Sequence, residues 1–96
     1  MYVGRIVAIG RSEERSFAAY RVSSRSFPNR RAEIRGRSIL VSPLNPADLA
    51  RNPYIAYNCI RVGAATAVVA NGTQADMIME RIEDGGKPLD ALAISL

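Results

Sequence analysis

Residues 2 to 10 alternate apolar and small residues, with β-branched side chains at Val3, Ile6, Val7 and Ile9, before the polar turn Arg11-Ser12-Glu13-Glu14-Arg15. Residues 16 to 23 (SFAAYRVS) resume the extended pattern, so the two runs predict a β-hairpin. On its second strand Ala18, Tyr20 and Val22 share one face, and Phe17, Ala19 and Arg21 share the other. A loop is expected over 24 to 30, because Pro28 lacks an N–H for a ladder and holds Phe27 extended. A short strand follows at about 38 to 43. Asn45 then caps a short helix that Pro46 opens and Asn52-Pro53 ends.

Tyr54 to Val62 and Ala65 to Ala70 predict a second hairpin turning near Gly63. Strict alternation places Ile55, Tyr57, Cys59 and Arg61 on one face, and Tyr54, Ala56, Asn58 and Ile60 on the other. Polar groups on both faces suit a strand lining a site, or one at a sheet edge. The last quarter is helical. Thr73 and Asp76 approximate a capping box, and Ala75, Ile78, Met79 and Ile82 form an apolar stripe before Gly85-Gly86. Pro88 opens a second helix with similar spacing at Leu89, Leu92, Ala93 and Leu96. Both stripes should pack on the sheet, giving an α+β domain of two β-hairpins and a helical pair. Leu96 ends that helix with no cap residue, which is expected of a truncated or split chain, or of a frayed terminus.

Length then limits the chain to a single domain spanning 1 to 96, with one modest core. Charge is unevenly spread: residues 1 to 61 carry eleven arginines against four acids, whereas residues 62 to 96 are net negative. An anionic ligand belongs with the first part. Twelve of the thirteen basic residues are Arg, whose planar fork grips phosphate or carboxylate at two points. One cysteine and no histidine leave no disulfide framework, Cys/His zinc site or His-based triad within this sequence. Neither a G-x-G-x-x-G nor a P-loop pattern occurs, and no apolar run has the length of a membrane span, so a cytoplasmic protein is expected.

The segment YRVSSRSFPNR, residues 20 to 30, holds Arg21, Arg25 and Arg30 among Ser23, Ser24 and Ser26, with no acid. Such a loop can bind a phosphate monoester, contact nucleic acid or remain a solvated basic surface. Tyr57 is the second candidate, since a phenol near cations can donate or accept a proton. Its bland alternative is an aromatic in a sheet. Cys59 reads as a small buried hydrophobe.

YRVSSRSFPNR and RNPYIAYNCIR (51 to 61), together with MYVGRIVAIGR and TAVVANGT, resemble archaeal IMP cyclohydrolases of the PurO type, over nearly the whole chain but only about half of the family's length. The resemblance implies an N-terminal nucleophile hydrolase-like αββα sandwich, about half of it supplied here. It also implies ring closure of 5-formamidoimidazole-4-carboxamide ribotide (FAICAR) to IMP with loss of water, without a cofactor or metal. On matching positions Tyr57 and Arg21 are implied in the chemical step, and Ser24, Arg25, Arg30 and Asn58 in substrate binding. The family's active-site glutamate would lie beyond Leu96. A homo-oligomer or a complementing C-terminal half is therefore expected as partner. A non-catalytic module for phosphoribosyl ligands or RNA is the alternative.

Overall fold

The computed structural model describes residues 5–95, with side chains as far as Ala91. The expectations for Tyr2, Val3, Leu92, Ala93 and Leu96 fall outside what it describes. Six strands, β1 (Ile6–Ser12), β2 (Arg15–Arg21), β3 (Arg30–Arg35), β4 (Ser38–Pro43), β5 (Tyr57–Val62) and β6 (Ala67–Val69), combine with helices α1 (Ala47–Arg51), α2 (Gln74–Glu83) and α3 (Pro88–Ser95). A 3₁₀ turn, Pro53–Ile55, precedes β5. β1 and β2 form a two-stranded antiparallel sheet, and the other strands a four-stranded antiparallel sheet in the order β3-β4-β5-β6. The α+β class holds, but there are three hairpins rather than two.

The additional hairpin, β3–β4, turns through Gly36 and Arg37, with Gly36 at φ +60° where glycine meets no steric penalty. The loop before it ends one residue earlier than expected, because Arg30 already pairs with Pro43. β3 has no periodic apolar face, and its Ile34 is exposed. Ladder bonds to β4 hold it, which hydrophobic patterning does not register.

The layers follow from which faces are apolar. Ala18, Tyr20 and Val22 of the first hairpin pack against Val41, Tyr57, Cys59 and Ile60. Across the larger sheet, Val68 packs with Ala75, Ile78 and Met79 of α2 and Ala91 of α3, and Ile82 borders them. The sheet is thus covered by the hairpin on one side and by helices on the other. β5 touches both β2 and α2.

Strict alternation fails on β5. Ile39 pairs with Ile60 and Leu40 with Asn58, so Cys59 is an extra residue, a β-bulge. Tyr57 and Ile60, three apart, consequently pack towards the hairpin, while Asn58 and Arg61 reach towards α2. The expected shared face of Tyr57 and Arg61 is therefore corrected. Polar groups on both faces reflect a central strand serving two layers.

Asn45 leads into α1, its Oδ1 accepting from the Ala47 N–H at 3.0 Å, but the N-cap position itself falls on Pro46. Thr73 makes no side-chain cap bond, so no capping box forms. Asp76 is instead taken up by β5. Gly85 and Gly86 end α2 by donating to the carbonyls of Ile82 and Arg81 at 3.0 and 2.9 Å, a Schellman motif that Gly85 completes at φ +94°. Pro88 opens α3 as expected, but Leu89 is 77% exposed and Ala91 makes the buried contact. The short Ala91 side chain permits a close approach that Leu89, two positions away, does not share. Among the described residues no helix is long and apolar enough to cross a membrane.

This packing predicts unequal costs for two truncations. Met79→Ala, at a side chain 1% exposed, should lower unfolding free energy by about 2–5 kcal/mol, and Leu89→Ala by less than about 0.5 kcal/mol. Urea denaturation measures both. Equal losses would mean that α3 docks through Leu89.

Candidate active site

Tyr57 is buried, at 5% exposure, and its phenol must find a polar partner there. That partner is Tyr20, whose Oη lies 2.5 Å from the Oη of Tyr57. The rings meet edge to face, with centroids 6.2 Å apart. Burial pushes the Tyr20 phenol well above its ordinary range, and the hydrogen bond and charge interaction with Tyr57 push it further, against a smaller lowering by Arg5. Burial likewise raises the Cys59 thiol, whose Sγ lies 3.5 Å from the Ile39 carbonyl. That environment favours a protonated packing residue over a nucleophile.

The arginine segment begins at Tyr20 and is also fastened at its far end. Arg30 donates from Nη1 to the carbonyl of Ile55 at 2.9 Å, two residues before Tyr57. YRVSSRSFPNR is thus stapled at both ends to the segment that carries Tyr57. Between the staples, Ser24 Oγ accepts from the Phe27 N–H at 3.1 Å, tightening the loop. The Arg51 guanidinium sits 5.4 Å from the centre of the Phe27 ring. Arg25 is exposed on the same loop. The Nε of Arg30 is buried without a hydrogen-bond acceptor, which leaves one aimed donor unused by the protein.

Two expected site residues stand elsewhere. Arg21, next to Tyr20, is exposed, and alternation turns it to the outer face of the hairpin. Asn58, next to Tyr57, donates its amide to both carboxylate oxygens of Asp76, at 3.2 and 3.4 Å. Arg61 bonds the same carboxylate at 3.3 Å and lies 3.9 Å from Glu83. These polar contacts tie β5 to α2. Sequence reading missed Tyr20 and Asp76 as partners, although the inward placement of Tyr20 was in the alternation of β2.

A cleft of about 870 Å³ opens between the hairpin and the sheet, bordered by Ile9, Arg11, Ala18, Ile39, Ile60 and Thr66 among others. It lies towards the β1–β2 turn, and neither Tyr57 nor the arginine loop lines it. Its largely apolar walls suit packing better than phosphate binding. Among the described residues no three His, Cys, Asp or Glu side chains converge as metal ligands would.

A family model described as IMP cyclohydrolase-like protein matches residues 2–96. The chain is 59% identical over 96 residues to an IMP cyclohydrolase of Methanothrix thermoacetophila, covering all of this chain and 48% of that relative. It is 53% identical over 97 residues to one from Methanocella arvoryzae, and 47% over 98 to one from Methanocaldococcus jannaschii, again covering 48% of each. The chain spans about half the length of these curated relatives.

The two staples make testable demands. Arg30→Ala should cost about 1–3 kcal/mol and speed tryptic cleavage after Arg25; an unaltered cleavage rate would show that Arg30 does not hold the loop. The raised Tyr20 and Cys59 groups retain protons in the fold that the unfolded chain releases. Their contribution to stability should therefore be constant below the ordinary thiol range, then fall as pH rises through it and past about 10. Urea midpoints across that window check the sign, and a rising midpoint would contradict it.

Proposed function

The chain belongs to the IMP cyclohydrolase-like family, and we propose that it carries the phenol and the arginine loop of a site that closes FAICAR to IMP with loss of water, in cytoplasmic purine biosynthesis. The observation that carries this reading is the double staple: Tyr20 on Tyr57 and Arg30 on Ile55 bring the basic loop and the buried phenol into one region. In the proposed reaction the carboxamide nitrogen attacks the formyl carbon, and the formyl oxygen gains negative charge and then a proton. Loss of a nitrogen proton and of that hydroxyl as water leaves the aromatic ring. The demands are a held rotamer, a stabilised oxyanion and mobile protons.

Tyr57 is assigned to proton transfer and Arg21 to the oxyanion, while Ser24, Arg25 and Arg30 bind the substrate, its phosphate foremost. The unused Nε donor of Arg30 supports its part. A substrate contact from Asn58 requires its amide to leave Asp76, and Arg21 must be brought round from the outer face. Both movements fit a site completed by polypeptide beyond this half-length.

The three layers observed, hairpin, sheet and helices, would be part of an αββα sandwich. In this proposal a complementing segment, or a second copy, covers the exposed Ile9 and Phe17 of the hairpin and pairs with the outer edge of β6.

The purified chain, mixed with the complementary half of its Methanothrix relative, should form IMP from FAICAR. Tyr57→Phe should slow that turnover about 10²- to 10⁴-fold while changing IMP affinity less than about threefold. Normal turnover would remove Tyr57 from the chemistry. Salt-sensitive RNA binding without IMP affinity would favour the non-catalytic reading instead.

A further inference from the structure

We propose that Tyr20 is a positioning residue for Tyr57, holding the Tyr57 phenol in place at the site through the hydrogen bond between the two hydroxyls. This rests on the role given to Tyr57 above, and it adds a residue that neither motif nor pattern had singled out for chemistry.

Three features carry it. The 2.5 Å contact is, among the described residues, the only side-chain hydrogen bond joining the strands of the first hairpin to the rest of the fold. Two hydroxyls at that distance place one proton between them, so one phenol is donor and the other acceptor. The surroundings keep Tyr20 a neutral hydroxyl able to hold that bond: burial and the proximity of Tyr57 both resist its ionisation, Cys59 opposes it slightly as well, and Arg5 alone favours it. The edge-to-face rings fix the approach, and packing of Ala18, Val22 and Val41 around the pair limits other rotamers.

Tyrosinate absorbance, titrated on the chain itself, tests the pair without any need for turnover. The wild type should show one phenol titrating well above pH about 10. Tyr20→Phe should abolish that step, and Tyr57→Phe should move it down, since the partner's bond and charge are lost while burial stays. A high step that survives Tyr20→Phe, or that stays in place in Tyr57→Phe, overturns the pairing. In the complemented enzyme Tyr20→Phe, which keeps the ring and so the packing, should lower kcat at least about tenfold with KM within about twofold and displace the pH–rate profile. A superimposable profile overturns the positioning role even if the titration reveals the pair. Normal turnover in Tyr57→Phe would defeat the catalytic reading of Tyr57, and the positioning role with it, whereas the titration separately decides whether the two phenols are paired.

Discussion

One inserted residue on a central strand governs how the layers connect. Without the bulge at Cys59, Tyr57 and Arg61 would project from the same face of β5, placing a guanidinium in the apolar seam beneath the hairpin or a phenol under α2. With it, Tyr57 and Ile60 serve the seam, and Asn58 and Arg61 meet Asp76. The buried Cys59 thiol fills the irregularity, with a raised proton affinity that keeps it neutral. β5 can then carry a polar network on one side and a buried phenol on the other, three bonds of chain apart. The hairpin is positioned through that phenol.

Local periodicity reported the elements whose stability comes from one apolar face. The α2 stripe, the Gly85-Gly86 stop, the inward set Ala18, Tyr20 and Val22, and the α1 start near Asn45 were all legible, because each depends on side chains a few residues apart. β3 was not, since backbone pairing rather than burial holds it. The bulge was invisible for a different reason: register is a property of two strands, and β5 alone carries no mark of where β4 slips. Asp76 was misassigned because its spacing from Thr73 suits a cap as well as a tertiary contact. Local pattern cannot say which partner wins, and here an amide and a guanidinium together outcompete the Thr73 backbone N–H for the Asp76 carboxylate. On α3 the pattern favoured large Leu89, whereas close helix packing selected small Ala91.

The candidate site shows the same division. Its residue types were readable, since unneutralised arginines and a phenol are chemical facts of composition. Their grouping was not, and it rests on two long-range bonds, Tyr20 to Tyr57 and Arg30 to Ile55. The adjacent residues Tyr20 and Arg21 part to opposite faces, as do Tyr57 and Asn58, so nearness in a motif did not mean nearness in space.

The distribution of acids completes the physical case for an anionic ligand. Among the described residues, the ion pairs are Arg35 with Glu33 and Arg61 with Asp76 and Glu83. Asp76 and Glu83 of α2 are thus drawn to β5, and none of these pairs involves Arg21 or Arg30. Arg30 is held by a neutral carbonyl, which satisfies one donor and leaves the charge uncompensated. A carbonyl tether orients a guanidinium without cancelling its field, unlike a carboxylate, which would do both. The stapled loop therefore combines fixed geometry with residual positive potential, the two properties that recognition of a phosphate group requires.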